Sequence, residues 1–228
     1  MPVLTVADEE LDALGYLTEC FDMHGLGEVR MCHRARSQPW PVQELLEEAD
    51  LVVSLGSLSS VRDEATQEAR AQECRVYRAA IERGIPVLAI CYGAQVLSQE
   101  LGAPSREAPS SEIGWVEVDS VDSATLPTGP WLDWHDDLLA VPVGATLLAR
   151  TPVAPQVYAH GRCLAVQFHP EVTPEELDRR VAMNRDALEE QGVDVEALTA
   201  QAHRQGERSR AMTRQLFGGF WSGIAAGR

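Results

Sequence analysis

The chain has 228 residues, of which 45% are hydrophobic, and this size and composition predict one compact domain. Its formal net charge of -16 at pH 7 argues against binding to nucleic acid or to an anionic membrane, because both attract cationic surfaces. All 19 basic residues are arginine, which excludes mechanisms that need a lysine Schiff base or the lysine of a P-loop.

Membrane segments, metal motifs and disulfides are not expected from this sequence. The longest apolar runs are far shorter than the roughly 20 residues of a membrane span, and no basic-then-apolar leader opens the chain. We therefore expect a cytoplasmic protein. The five cysteines are odd in number and widely spaced, so they form neither a C-x-x-C metal motif nor a disulfide framework. We expect no metal ion and no cofactor.

Strand-like and helix-like segments alternate through the first half of the chain. Short apolar runs predict strands over residues 2–6, 28–33, 51–54 and 87–90. Apolar residues at helical spacing predict helices over 9–24, 42–49 and 63–83, and another helix is expected directly after residue 91. This alternation indicates a mainly parallel sheet with helices on both faces. Ligands of such sheets bind beyond the carboxyl ends of the strands.

The second half of the chain shows a different pattern of predicted secondary structure. Short strands are predicted over 114–121, 147–150, 156–160 and 163–168, and Gly161-Arg162 fits a two-residue hairpin turn between the last two. A helix is predicted to begin after Thr173, an N-cap residue followed by proline, and a second helix after Gly192. These features predict a small antiparallel β section followed by helices.

Cys91 lies between an apolar strand and a predicted helix. Ala89 and Gly93 stand two residues before and after it, which gives a cysteine version of the G-x-S-x-G nucleophile elbow. The amides and positive dipole end of the following helix would stabilise an anionic sulfur. This segment alone fits the alternative equally well, in which Cys91 is simply a small hydrophobic residue at the end of a buried strand.

A candidate base for Cys91 follows the last predicted strand. His169 is followed two residues later by Glu171, and together with Cys91 these residues fit the order of nucleophile, base and orienting acid in a triad. Judged from this segment alone, His169 could instead have a structural role beside Pro170.

The segments A-I-C-Y-G-A-Q and Q-F-H-P-E together resemble the class I (triad) glutamine amidotransferase family, especially the glutaminase domain of GMP synthases. The resemblance covers roughly residues 40–175. It implies a three-layer, flavodoxin-like α/β fold with a mixed, mainly parallel sheet. It also implies that Cys91 attacks the side-chain amide of glutamine, that His169 is the general acid and base, and that Glu171 supports His169.

The resemblance also implies substrate-binding and supporting residues. Gln95 would contact bound glutamine, and the backbone of Ile113, Gly114 and Trp115 would hold its amino-acid head group. His135 and Asp137 match the family's His-x-Asp element, which shapes the surroundings of the site. The alternatives are a capping role for Gln95 and a core position for Trp115.

Attack on an amide carbonyl requires two backbone donors for the oxyanion that forms. The amide of Tyr92, at the start of the predicted helix, is one candidate donor. The other is expected at Gly56, with the amide of Ser57 as a competitor. The family usually carries Gly-Gly-Pro in this loop, whereas this chain has Leu55 in place of the first glycine and no proline.

Residues 1–175 are predicted to form the amidotransferase domain, and residues 176–228 a helical extension packed on it. Dimerisation or docking to a synthetase is the alternative role for the extension. The function expected is a stand-alone glutaminase that supplies ammonia to a separate synthetase. A partner-independent hydrolase or transferase of γ-glutamyl compounds would use the same triad. A non-catalytic binding homologue is the third alternative, suggested by Leu55.

Overall fold

The computed structural model describes residues 1–34 and 39–227, which form a three-layer α/β structure with a mixed central sheet. The strands are β1 (Pro2–Ala7), β2 (Glu28–His33), β3 (Leu51–Ser54), β4 (Val87–Ile90), β5 (Arg106–Val116), β6 (Asp119–Ser120), β7 (Trp131–Leu138), β8 (Thr146–Arg150), β9 (Pro155–His160) and β10 (Cys163–Val166). The helices are α1 (Tyr16–Met23), α2 (Val42–Leu45), α3 (Gln67–Arg83), α4 (Tyr92–Glu100), α5 (Pro174–Glu190) and α6 (Val195–Ser222).

The central sheet has eight strands in the order β2-β1-β3-β4-β10-β9-β8-β6. The pairings from β2 through to β10 are parallel, and those from β10 through to β6 are antiparallel. Strands β5 and β7 form a separate antiparallel ribbon. The expected mixed, mainly parallel sheet with a small antiparallel section is therefore confirmed.

The register of β4 and β10 brings two distant parts of the chain together. Val166 pairs with Ile90, so the residues that follow both strands emerge at the same edge of the sheet. Cys91 follows β4 directly, and His169 lies three residues beyond β10. The parallel pairing thus places both residues at the carboxyl ends of adjacent strands, where ligands bind in open α/β sheets.

Alternating side chains of the central strands pack into separate clusters on the two sheet faces. Leu88 and Ile90 of β4 join a cluster that includes residues of α1 and α6, whereas Val87 and Ala89 join one that includes residues of α3 and α4. All four residues are fully buried. This burial on both faces explains why the strand is an uninterrupted apolar run.

The helix predicted over residues 9–24 is wrong in its first half. The segment begins with a 3-10 turn at Glu9–Leu11, and α1 starts only at Tyr16. Gly15 causes the break, because its φ is 48° and a Cβ there would lie 1.9 Å from the carbonyl oxygen of Glu171. The Tyr16 amide donates to that same oxygen at 2.9 Å. The break therefore joins the start of α1 to the segment that carries Glu171.

Helix α6 lies against α1 and is the longest helix of the described residues. The ring centroids of Phe217 and Phe21 are 5.6 Å apart, and both side chains are buried. The N-terminus of α5 is capped as predicted, with the Thr173 hydroxyl accepting from the Glu176 amide at 3.3 Å. Among the helices of residues 1–34 and 39–227, none combines the length and hydropathy needed to cross a membrane.

Candidate active site

Cys91 occupies the sharp turn between β4 and α4. The φ of Cys91 is 52° and its ψ is -112°. Among residues 1–34 and 39–227, Cys91 is the one non-glycine residue with a positive φ. Gly93 permits this turn, because a Cβ there would lie 2.3 Å from the Ser54 hydroxyl oxygen of the neighbouring strand. A nucleophile elbow requires this combination of a strained residue and a close strand–helix crossing.

The Cys91 thiol is buried among polar atoms. It donates to the Trp134 carbonyl oxygen at 3.7 Å, and the Gln167 side-chain amide donates to its sulfur at 3.6 Å. Its backbone amide donates to the Val166 carbonyl oxygen at 2.7 Å, which fixes the turn against β10. Cys91 is only 4% exposed, so substrate reaches it through the cavity that it lines with His169 and Gln95.

His169 and Glu171 form a buried pair beside Cys91. The Nδ1 atom of His169 lies 2.9 Å from Glu171 Oε1, and the His169 amide is fixed by the Leu132 carbonyl oxygen at 2.8 Å. Burial alone would lower the pKa of His169, but the Glu171 carboxylate and the Cys91 sulfur raise this pKa to about 10. Burial opposes ionisation of Glu171, yet His169 and Arg180 hold its pKa below the ordinary value. The pair is therefore stable as imidazolium and carboxylate.

Arg180 of α5 contacts the same pair and also lines the cavity that contains Cys91. Its Nη2 atom donates to Glu171 Oε1 at 3.3 Å, and its Nη1 atom lies 3.3 Å from His169 Nδ1. Glu176 accepts from its Nε atom at 3.0 Å and holds the guanidinium in place. The arginine thus shares Glu171 with the histidine and favours the ionised carboxylate.

Replacing Arg180 by glutamine is expected to move the acid limb of the pH–activity profile to higher pH. The pKa of Glu171 rises when the neighbouring cation is removed, so the carboxylate becomes protonated earlier as the pH falls. The measurement is kcat/KM for glutamine from the lowest pH at which the protein stays folded, below the ordinary Glu171 pKa of 4.5, up to pH 9. The matched control is Arg179→Gln, since Arg179 also binds Glu176 but is largely exposed. Equal profiles for both variants would contradict the assignment.

Gly56 lies against both Cys91 and His169. A Cβ built at this residue would be 2.7 Å from His169 Cε1 and 3.5 Å from Cys91 Cβ, so the site requires glycine here. Ser57 and Tyr92 line the cavity that contains Cys91. The three residues predicted to supply oxyanion donors therefore either pack against Cys91 or line its cavity.

Asp137 anchors the far end of this loop. The Ser60 hydroxyl and the Arg62 Nε atom each donate to its carboxylate at 2.5 Å. The Asp137 carbonyl oxygen also accepts from the Gln95 side-chain amide at 3.0 Å. Asp137 therefore connects the altered loop to α4 at the wall of the cavity.

His135 lies in a buried polar cluster at the edge of the cavity. Its Nε2 atom is 3.3 Å from Glu112 Oε2 and 3.4 Å from Asp133 Oδ2, and Gln156 donates to Asp133 at 2.7 Å. The ligand atoms of Glu112, Asp133 and His135 all lie within 4.8 Å of one another, a spacing that one small cation could bridge. Burial lowers the pKa of His135, but the two carboxylates raise it to about 10. The imidazolium itself therefore neutralises part of their charge at pH 7.

His135→Gln is expected to destabilise the protein by about 3 kcal/mol or more near pH 6.5, because two buried carboxylates lose their cation. The folded-state pKa of about 10 exceeds the ordinary 6.5, so this stabilisation is complete below pH 6.5 and is lost as the pH rises toward 10. Urea unfolding at pH 6.5, 8 and 10 checks this difference. A wild-type advantage that stays constant over that range would contradict a charged His135.

Ile113, Gly114 and Trp115 do not line the Cys91 cavity. They line a separate groove between β5 and the junction of α5 with α6. The indole nitrogen of Trp115 donates to the Leu198 carbonyl oxygen at 3.3 Å, and the side chain packs with the α5–α6 cluster. Contact of their backbone with a substrate head group stays a prediction. Gln95, His135 and Asp137, by contrast, all line the cavity.

Several residues at the site were not predicted from the sequence. Gln167 contacts the sulfur, Arg180 contacts the His169–Glu171 pair, and Trp134 lines the cavity with its carbonyl oxygen on the thiol. Gln167 lies two residues before His169 and directly after β10, so its place in the same motif could have indicated it. Arg180 carries no such signal, because a single arginine on an acidic helix resembles any surface residue.

Sequence comparison identifies the family. The family model "Glutamine amidotransferase class-I" matches residues 27–187, more than half of the chain. The protein belongs to the class I glutamine amidotransferase family, as the motifs around Cys91 and His169 predict.

The chain is similar to one region of longer proteins. It is 36% identical over 149 residues to a GMP synthase (glutamine-hydrolyzing) of Aeropyrum pernix, covering 62% of this chain and 28% of that protein. The corresponding enzyme of Methylobacillus flagellatus is 31% identical over 139 residues, covering 54% of this chain and 25% of that protein. The chain thus matches only about a quarter of the length of these relatives.

Solved structures resemble nearly the whole chain. A glutamine amidotransferase of Thermotoga maritima superposes with a TM-score of 0.83 at 26% identity, covering 96% of this chain and 97% of that one. A glutamine amidotransferase of Methylobacillus flagellatus, 17% identical, superposes with a TM-score of 0.79 over 97% of this chain and 94% of its own. The second likeness concerns the fold alone.

Proposed function

We propose that this protein hydrolyses the side-chain amide of glutamine through a γ-glutamyl thioester on Cys91. One observation gives this proposal its main support. Cys91, held at a strained turn, lines the same cavity as His169, whose Nδ1 atom lies 2.9 Å from the buried Glu171 carboxylate. This geometry supports the roles of nucleophile for Cys91, acid and base for His169, and orienting group for Glu171.

In the acylation step, the sulfur of Cys91 attacks the side-chain carbonyl carbon of glutamine, and the thiol proton resides on His169. The pKa of about 10 favours the imidazolium at neutral pH, and this cation stabilises the negative charge that the sulfur carries during the attack. The carbonyl π electrons move to oxygen, and the amides of Gly56 or Ser57 and of Tyr92 stabilise the resulting oxyanion.

Collapse of this intermediate releases ammonia. The His169 imidazolium donates its proton to the amide nitrogen, the C–N bond breaks, and a γ-glutamyl thioester remains on Cys91. Neutral His169 then accepts a proton from water as the water oxygen attacks the thioester carbon. The C–S bond breaks, glutamate leaves, and Cys91 and His169 return to their starting ionic forms. Glu171 stabilises the imidazolium in both halves of the cycle.

The proposal extends to an enzyme that accepts the ammonia. The similar proteins of Aeropyrum and Methylobacillus are named GMP synthases (glutamine-hydrolyzing), which supports an amination reaction as the use of the ammonia. We propose that a separate synthetase uses the ammonia. A hydrolase or transferase of γ-glutamyl compounds that needs no partner is the second function compatible with the same three residues. The assignment of residues 176–228 as a helical extension and a cytoplasmic location remain predictions.

The test begins with purified protein incubated with glutamine, followed by measurement of glutamate and ammonia in equal amounts. A γ-glutamyl dipeptide is assayed in parallel, because rapid turnover of the dipeptide alone would favour the partner-independent function. A glutamine-analogue electrophile is then added, and intact-protein and peptide mass spectrometry locate the adduct. We expect one adduct, on Cys91. Absence of the adduct under conditions that label a control amidotransferase would contradict the enzymatic function.

A further inference from the structure

A buried arginine lies behind the loop that carries the proposed oxyanion donors. Arg34 follows β2, and its backbone amide donates to the Ala7 carbonyl oxygen of β1 at 3.0 Å. Its side chain is only 4% exposed, which is rare for arginine unless the guanidinium is paired. Neither the motifs nor the proposed catalytic cycle assigns a role to this residue.

The guanidinium of Arg34 binds two consecutive carbonyl groups of the loop. Its Nη2 atom donates to the Leu55 oxygen at 2.7 Å, and its Nη1 atom donates to the Gly56 oxygen at 3.0 Å. The same Nη2 atom also donates to the Ser54 hydroxyl at 3.0 Å. The guanidinium of Arg34 therefore holds the backbone in place from the end of β3 into the loop.

Glu73 of α3 holds the guanidinium in this orientation. The Nε atom of Arg34 donates to Glu73 Oε2 at 2.8 Å, and the Glu73 side chain is fully buried. The hydroxyl groups of Ser54 and Tyr77 donate to the other carboxylate oxygen at 2.5 and 2.8 Å. Burial alone would lower the pKa of Arg34, but the Glu73 carboxylate raises it above its ordinary value, so the guanidinium stays charged.

The direction of the bound carbonyl groups fixes the direction of the amides. In a trans peptide the C=O and the following N–H point in opposite directions. The Leu55 carbonyl faces Arg34, so the Gly56 amide points away from it, and the Gly56 carbonyl fixes the Ser57 amide in the same way. Within residues 1–34 and 39–227, neither amide donates to a protein acceptor. Both donors therefore remain available to a ligand.

The same guanidinium also contacts the side chain of Tyr92. Its Cζ atom lies 4.7 Å from the ring centroid of Tyr92, whose amide is the other candidate donor. This cation–π contact packs the first residue of α4 against Arg34. Hydrogen bonds to the carbonyl groups also polarise their peptides and strengthen the attached N–H donors.

We propose that Arg34 is a positioning residue that aims the oxyanion donors of Gly56 and Ser57 toward the carbonyl oxygen of the substrate. It contacts loop carbonyl groups rather than the reacting atoms, so it acts through the backbone. This role also explains how a loop with Leu55 in place of a glycine, and without proline, keeps a defined conformation. The inference rests on the proposed glutaminase function, because an oxyanion forms only if Cys91 attacks a carbonyl.

The test compares two reactions of Cys91 in Arg34→Lys. Lysine keeps a positive charge near Glu73 but cannot bind the carboxylate and both carbonyl groups at once. We expect kcat for glutamine to fall about 10- to 100-fold and KM to change by less than about threefold, because the donors are misaligned in the transition state. Alkylation of Cys91 by iodoacetamide forms no oxyanion, so its rate should change by less than about threefold.

Two further variants complete the design. Tyr158→Phe is the structural control, since it removes the buried contact between the Tyr158 and Ser98 hydroxyl groups, outside the cavity that contains Cys91. It should leave the ratio of glutamine turnover to alkylation unchanged. If Arg34→Lys does not fold, Arg34→Met combined with Glu73→Gln removes both buried charges and avoids an unpaired carboxylate. For this double variant we expect the same result as for Arg34→Lys, a fall in kcat for glutamine without a fall in the alkylation rate of Cys91.

The outcomes separate this inference from the function on which it rests. Wild-type protein that releases glutamate from neither glutamine nor the γ-glutamyl dipeptide overturns the proposed function, and the role of Arg34 with it, before any variant is measured. Active wild type together with a folded Arg34 variant whose kcat lies within about threefold of it overturns the positioning role alone. Parallel loss of glutamine turnover and alkylation also overturns it, because a general disturbance of the site would then be sufficient.

Discussion

Cys91→Ala is expected to lower kcat for glutamine hydrolysis by at least about 10⁴-fold and to leave the protein folded. The loss is this large because no thioester can form, and water must then attack the amide without a covalent intermediate. The side chain of Cys91 is small and its backbone conformation is fixed by the neighbouring strands, so the fold should tolerate the change. The measurement is glutamate release by the purified variant, together with its far-UV circular dichroism and thermal midpoint.

The matched control for this prediction is Cys74→Ala. Cys74 lies in α3, away from the cavity, and burial raises the pKa of its thiol to about 12. Burial likewise raises the pKa of the Cys20 and Cys163 thiols to about 12, so they should not replace Cys91 as nucleophiles. The control should retain wild-type turnover. Residual activity of Cys91→Ala above about 1% of wild type would assign the nucleophile to another group.

The parts of the site that could be predicted from the sequence are those encoded by local patterns. The apolar run before Cys91 predicts β4, and the small residues around it predict the turn that its φ of 52° exhibits. The hairpin at Gly161 predicts the two strands that lead to His169. In both cases the chemistry lies at the end of a strongly patterned strand, so the strand prediction also locates the residue.

Strand β7 could not be predicted in this way, because polar residues occupy its buried face. Asp133, His135 and Asp137 alternate along this strand and all are buried, which is the reverse of the usual pattern. Their burial depends on partners such as Glu112 and Arg62 that lie far away in the sequence. Binary patterning of hydrophobic residues contains no information about such pairs.

Arg34 and Arg180 illustrate the same limit for single charged residues. Each is nearly fully buried, and each contacts the site only through the tertiary fold. In the sequence both resemble the other arginines of an acidic protein. The contacts that distinguish them, two loop carbonyl groups for one and a buried carboxylate for the other, exist only once β3, α3 and α5 have packed together.

His169→Gln is expected to reduce kcat for glutamine by at least about 10³-fold, the second-largest effect among these predictions. Glutamine retains a polar side chain but can neither accept the thiol proton nor donate a proton to the departing nitrogen. The pKa of about 10 also makes His169 the cation that pairs with Glu171, so the variant leaves a buried carboxylate with Arg180 as its cationic partner. We therefore expect a lower thermal midpoint as well as the loss of turnover.

His203→Gln is the matched control, because His203 also lies 2.8 Å from a carboxylate, that of Asp178, but at an exposed position. This variant should retain both activity and stability. Alkylation of Cys91 by iodoacetamide separates two contributions of His169, its positive charge beside the sulfur and its transfer of protons during glutamine hydrolysis. Loss of the imidazolium should slow alkylation of Cys91 at pH 7, because a neighbouring cation stabilises negative charge on an attacking sulfur. Wild-type turnover or an unchanged alkylation rate in His169→Gln would contradict the assignment of this residue as the partner of Cys91.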